Sequence, residues 1–231
     1  MFRQLLAGIS QAIPSQCVVC HAWPARSVCE ACVQRFGQPT HRCRTCALPV
    51  PDTIPQCGAC VTEPPPLDSA LAAVPYDYPW AEMVVQFKFR EHTGWAPFFA
   101  SLLRSQPWVE PALDAAHWVL PMPLSTMRLQ ERGFNQALEL ARALAPDKVH
   151  KQMLLRIAET APQSALPRKE RLRNVQGAYA LAPEWAASVS GRRIVLIDDV
   201  MTTGASLHAA ARVLRRAGAA HICAVVLARA E

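Results

Sequence analysis

The stretch Ile194-Val195-Leu196-Ile197-Asp198-Asp199-Val200-Met201-Thr202-Thr203-Gly204-Ala205-Ser206 decides the fold. Ile194 to Ile197 are apolar without alternation, three of them β-branched, and read as a strand buried on both faces of a parallel sheet. The strand ends in Asp198 and Asp199, at the carboxyl edge where open α/β sheets bind ligands. Thr202, Thr203 and Gly204 follow, small residues that let backbone N–H groups and hydroxyls converge before a helix begins. That arrangement is an anion cradle at a helix N-terminus.

Two carboxylates beside a phosphate-sized nest repel a bare phosphate, so the ligand must separate the two features along its length. A sugar phosphate does so: its cis-hydroxyls donate to the carboxylates while its phosphate sits in the loop. The plainer alternative is a strand ending in a solvated Asp pair, followed by an ordinary helix cap. The stretch resembles the phosphoribosyl pyrophosphate (PRPP) motif of type I phosphoribosyltransferases. By that resemblance Asp198 and Asp199 take the ribose hydroxyls, and Met201, Thr202, Thr203, Gly204, Ala205 and Ser206 take the 5′-phosphate.

The chain of 231 residues has room for one full domain and a small second one, and its 51% hydrophobic content fits a globular protein. A net charge of +6 favours polyanionic partners. The longest apolar runs fall far short of the roughly 20 residues that a membrane span needs. Phe2, Leu5, Leu6, Ile9 and Ile13 lie at helical spacing, so residues 1–16 read as a short amphipathic helix. Packing on the protein itself is favoured over lying on a membrane surface, and a secretory signal is not expected.

Eight of the nine cysteines form four C-x-x-C pairs within 44 residues: Cys17 and Cys20, Cys29 and Cys32, Cys43 and Cys46, Cys57 and Cys60. In a reducing compartment metal is favoured over disulfide, and four such turns supply two tetrahedral zinc sites. The gaps between Cys20 and Cys29 and between Cys46 and Cys57 suit two consecutive ribbons, and leave interleaved pairing open. With little apolar material nearby, metal is expected to supply most of the folding energy of residues 17–63. His21 and His41 read as surface residues. Residues 64–66, all proline, form a stiff linker, and residues 67–231 a second domain.

Within that domain Leu67 to Val74 read as a strand, and Trp80 to Phe89 and Trp95 to Leu103 as helices with aromatic core faces. Lys88 falls on the polar side of its helix and reads as solvated. His117 to Leu120 form a strand that runs into Pro121-Met122-Pro123, a rigid loop at the sheet edge. Arg128 and Arg132, four apart, offer two planar forks to phosphate oxygens, and Gly133-Phe134-Asn135-Gln136 opens another helix. Met153 to Ile157 read as the second strand of the sheet. From Arg128 to Arg173 ten Lys or Arg face five Asp or Glu, an excess of five positive charges. The polar part of this run reads as a hood in which Lys169 and Arg171 offset charge on a leaving group, or else as a solvated basic loop. Ala178 to Leu181 and His221 to Leu227 complete the strands. Cys223 reads as an inert buried thiol, and His208 carries no ligand signal.

Taken together, the four C-x-x-C pairs, the proline joint, P-M-P-L with R-x-x-x-R-G-F-N-Q, Q-S-A-L with R-x-x-N, and D-D-V-M-T-T-G-A-S resemble the ComF family, also called GntX-like. Ser206 stands where the loop usually ends in Thr, and keeps the hydroxyl. The resemblance covers nearly the whole chain and implies an α/β type I phosphoribosyltransferase fold joined to a double zinc ribbon. It assigns pyrophosphate to Pro121, Met122 and Pro123 with Arg128 and Arg132, and implies zinc, PRPP and, as a companion cation, magnesium. It further implies a cytoplasmic protein, peripheral at most at the inner face of the membrane, that handles incoming single-stranded DNA alongside the DNA-uptake machinery of natural competence. An active phosphoribosyltransferase on an unidentified acceptor and a PRPP-sensing regulator are the alternatives.

Overall fold

A computed structural model describes residues 15–25, 27–89, 93–158 and 177–231. The chain forms two compact units, Met1–Gln38 and Pro39–Glu231. The division therefore falls between the two groups of cysteines, and Glu63 to Pro66 run inside the larger unit. The expected N-terminal helix, residues 1–16, lies almost wholly outside the described residues.

In the smaller unit Ser15 and Ala25 exchange backbone hydrogen bonds of 2.8 and 2.7 Å, closing a loop that carries the first cysteine turn. Cys29 is the N-cap of helix α1 (Glu30–Phe36), so it stands one turn before Cys32. Cys17 and Cys32 are buried.

The larger unit is built on a four-stranded sheet, ordered β1 (Ser69–Pro75), β6 (His221–Arg229), β5 (Arg193–Met201), β2 (Trp118–Pro121), with every pairing parallel. Ile194 to Ile197 and Ile222 to Ala228 are buried without a break, as strands covered on both faces must be. Helix α2 (Gly58–Thr62) belongs to the second cysteine group; α3 (Trp80–Phe89), α4 (Trp95–Arg104) and α5 (Val109–Ala115) follow β1. After β2 come α6 (Thr126–Arg132) and α7 (Gln136–Leu144), the latter packed on β5 and β2. Helix α8 (Ala205–Arg216) joins β5 to β6.

The second strand expected at Met153 to Ile157 is not part of this sheet. Its core, β3 (Leu154–Arg156), pairs antiparallel with β4 (Tyr179–Leu181) in a separate two-stranded sheet. Only Leu154 of the three is buried, too little apolar surface for a strand inside the main sheet.

The second cysteine group is continuous with the main core. Cys43, Cys46, Ala47 and Cys60 are buried in one cluster with Leu67, Ala70 and Ala72, and Ala70 N donates to Arg44 O at 2.7 Å. On another side of the unit, Phe87 packs against Phe99 and Phe134 with ring centroids 5.4 and 5.8 Å apart, holding α3 against α4 and the start of α7. Phe87 is fully buried, so Phe87→Ala should cost about 3–5 kcal/mol, measurable by chemical denaturation.

Candidate functional site

A cavity of about 460 Å³ opens at the carboxyl rim of the sheet. Asp198 and Asp199, from the end of β5, share it with Met122 and Pro123 from the loop after β2, with Arg128 and Arg132 from α6, and with Thr202 and Ser206. A recess of about 30 Å³ beside it is lined by Asp198, Met201, Thr202, Gly204, Ala205 and Ser206. Pro121 stays in β2 as its last residue, and Thr203 accepts a hydrogen bond from Ala205 N at 3.3 Å through its hydroxyl. Lys169 and Arg171 lie outside the described residues.

The motif R-G-F-N-Q explains how the loop and helices are fixed. Gly133 ends α6 in the left-handed region, φ 73°, and Asn135 caps α7, its Oδ1 accepting from Ala137 N and Leu138 N. The same side chain donates through Nδ2 to Met122 O at 3.0 Å, pinning the proline loop, while Met122 N donates to Ile197 O at 2.9 Å. Gln136 is almost fully buried; its Nε2 donates to Lys88 O at 3.3 Å and its Oε1 accepts from Arg132 at 3.0 Å.

Lys88, expected to be solvated, instead reaches into the cavity, with Nζ 3.2 Å from Asp199 Oδ2. The side chain is only 17% exposed, and helix α3 turns it inward because Phe87 and Gln136 hold that end of the helix against α7. It is the single cation in the run from Trp80 to Phe89, the one sequence signal that could have marked it. Sequence reasoning also missed Tyr76, Arg156 and Tyr179 on the cavity wall. Arg156 lies with its guanidinium carbon 5.7 Å from the Tyr179 ring centre. Their place follows from the β3–β4 pairing, which no local pattern announces.

The electrostatics are those of a desolvated, mixed-charge site. Burial, and then the neighbouring charge of Asp199, push the Asp198 carboxyl up to about 7, although Asp199 N donates to its Oδ1 at 2.9 Å. Burial and the like charges of Arg156 and Arg132 lower the Arg128 pKa, but a guanidinium stays protonated, leaving clustered positive charge on this wall. Gly204 starts α8 at φ 77°, and a Cβ there would lie 2.6 Å from Met201 Cε and 2.8 Å from His208 Nε2. The loop thus folds tightly over His208, whose imidazole burial keeps neutral by lowering its pKa to about 4.

The cysteines gather as two consecutive sets, Cys17, Cys20, Cys29, Cys32 and Cys43, Cys46, Cys57, Cys60, with the sulfur atoms of each set within 4.8 Å of one another. Interleaved pairing is thereby excluded. Desolvation raises Cys17 and Cys43, but backbone donors outweigh it and bring both to about 6; Cys29 N lies 3.3 Å from Cys17 Sγ. Burial, and then the neighbouring cysteine side chains of each set, push Cys32 up to about 12 and raise Cys46 as well. Four thiols this close ionise together only around a cation, and all-sulfur tetrahedral sets suit zinc. With all four positions taken by sulfur, neither site leaves room for a catalytic water. Among the described residues no helix is long and apolar enough to cross a membrane.

A parallel sheet with an acidic doublet and a small-residue loop at its rim defines a phosphoribosyltransferase-type domain, and residues 132–231 match the phosphoribosyl transferase domain family. Among similar proteins, DNA utilization protein YhgH of Salmonella typhimurium is 30% identical over 219 residues, spanning 91% of this chain and 95% of the relative. Competence protein ComFC of Bacillus subtilis is 34% identical over 205 residues (85% and 81%), and Competence protein F of Haemophilus influenzae 28% over 212 residues (88% and 90%). The chain belongs to the ComF family, and its own cysteine-rich region precedes that domain.

Two outcomes follow. In Asp198 the folded pKa, about 7, exceeds the unfolded value near 3.8, so between those pH values the native state holds the extra proton and stability falls as pH rises. Asp198→Asn removes that titration, and its stability relative to wild type should be more favourable at pH 8 than at pH 5 in denaturant titrations. Metal analysis of the purified chain should give two zinc ions, and one for either Cys20→Ser or Cys60→Ser.

Proposed function

We propose that the cavity binds PRPP or a closely related phosphorylated pentose, and that the protein serves DNA uptake or utilization by handling incoming single-stranded DNA. The observation that carries the first part is that one cavity joins Asp198, Asp199, Thr202 and Ser206 with Pro123, Arg128 and Arg132. Ribose hydroxyls donate to the two carboxylates, whose orientation Lys88 and the Asp199 amide fix. The 5′-phosphate occupies the recess of residues 201–206, at the start of α8. Pyrophosphate lies against Met122, Pro123 and the forks of Arg128 and Arg132, with magnesium as its companion and Lys169 and Arg171 offsetting further charge.

Support for the DNA role comes from the relatives named for competence and DNA utilization, together with a net charge of +6. A backbone-tracking mode, using the basic segment from Arg128 to Arg173 and the cysteine units, makes affinity steeply salt-dependent.

Arg156 and Tyr179 favour a second reading. They line the same cavity without a part in the ribose or phosphate assignment, and would face an acceptor in an active pentosyl transfer. The C1–O bond to pyrophosphate then breaks as an acceptor atom bonds to C1, and the pyrophosphate leaves with the bonding electrons.

Calorimetric titration of PRPP should show binding to wild type and at least about tenfold weaker binding to Asp199→Asn, which loses charge-assisted hydrogen bonds. Equal binding by the two proteins sinks the ribose assignment. A fluorescent single-stranded oligonucleotide should bind at low salt and be released as salt rises; no binding at low salt removes the DNA role. Pyrophosphate release in the presence of nucleoside, base or DNA acceptors would favour turnover.

A further inference from the structure

We propose that the second cysteine group, Cys43, Cys46, Cys57 and Cys60, is a structural part of the ligand site, and that Arg229 is the positioning residue that joins the two. The inference rests on reading residues 201–206 as a phosphate loop, and adds what holds that loop in shape.

Arg229 ends β6, opposite Met201 of β5 and Pro75 of β1 in the sheet register, and is only 4% exposed. Its guanidinium connects segments distant in sequence. Nε donates to Cys46 O at 2.7 Å, inside the first turn of the second cysteine group. Nη1 donates to Met201 O at 3.0 Å and also to Thr202 O and Ala230 O. A planar fork is suited to this because its donors diverge at fixed angles, whereas an ammonium presents one point of charge.

The two loop carbonyls give the contact its consequence. In a trans peptide the C=O and N–H point in opposite directions. Drawing the carbonyls of Met201 and Thr202 onto Arg229 turns the N–H groups of Thr202 and Thr203 the other way, out from the buried side of the loop. The guanidinium also places a full positive charge behind a loop read as an anion cradle, in a dry setting where screening is weak. Arg229 therefore orients the amides and raises the local potential without touching the ligand.

The other end of the strut is set by the cysteine turn. Ala47 N donates to Cys43 O at 2.8 Å and Cys43 N to Leu48 O at 2.7 Å, so the Cys46 carbonyl belongs to a turn whose two sulfur atoms face a metal-sized set. The bond from Ala70 N to Arg44 O ties the same turn to β1. Loss of the ion from this set frees the turn, and with it the anchor of Arg229. The first cysteine group belongs to the other compact unit, and its loss should leave the loop unchanged.

The test uses hydrogen–deuterium exchange on the full chain, following peptides that contain residues 201–206, with titration of ribose 5-phosphate alongside. Arg229→Lys and Cys57→Ser should both speed exchange in those peptides and weaken ribose 5-phosphate at least about tenfold, as loss of a charged hydrogen bond does. Cys29→Ser, with one metal ion fewer, should keep the wild-type exchange there. Wild-type protection at 201–206 in a metal-depleted Cys57→Ser protein overturns the proposal, as does an equal effect from Cys29→Ser. If one of the first two variants does not fold, the other carries the decision. Failure of wild type to take ribose 5-phosphate refutes the phosphate-loop reading, while the exchange data still decide whether Arg229 couples the two sites.

Discussion

Two carboxylates stand side by side near the carboxyl end of β5, just after the fully buried run Ile194 to Ile197, and the rest of the larger unit is arranged around their charge. Desolvating an ion costs several kcal/mol unless partners are supplied. Asp199 receives Lys88 from a helix more than a hundred residues earlier, and Asp198 receives the amide of its neighbour. That requirement dictates where α3 must end, hence the Phe87 contacts with α4 and Phe134, and hence the buried Gln136 that accepts from Arg132 and donates to the carbonyl of Lys88. The helices are thus placed as much by the rim's charge as by the core's shape.

The parts of this arrangement that occupy one contiguous stretch could be read from the chain. Ile194 to Ser206 combine strand, acidic pair, loop and helix start without a break, and each C-x-x-C turn carries its own geometry. The helices from Trp80 and from Trp95 were legible because Met83, Val84 and Phe87, and then Phe98, Phe99 and Leu102, recur at helical spacing. What escaped depends on pairing between distant segments. The run Leu154-Leu155-Arg156 is strand-like, but nothing in three residues says whether its partner lies in the main sheet or in β4. Lys88 and Arg156 look like any surface cation until the fold places them against Asp199 and Tyr179. Arg229 had a signal of its own: it closes a strand that is apolar from Ile222 to Ala228, as the Asp pair follows the apolar run of β5.

The two cysteine sets share a spacing pattern but differ in surroundings. Among the described residues around Cys17 to Cys32, Val28 is the one buried apolar side chain besides cysteine, so sulfur and metal must do most of the holding there. Cys43 to Cys60 share a core with Leu67, Ala70 and Ala72, so their turn is supported by packing as well. Repetition in sequence does not imply repetition of role.

The order of strands in the main sheet carries a consequence for biosynthesis. β6 follows every other strand along the chain yet lies between β1 and β5, so a nascent polypeptide has only the β2–β5 half of the sheet available until β6 leaves the ribosome. Before then β1 and one side of β5 are unpaired apolar edges, the kind that chaperones shield and that otherwise associate with neighbouring chains. Assembly of this unit therefore waits on β6 for its decisive step, and loss of the segment that contains β6 would leave an aggregation-prone remnant in place of a weakened protein.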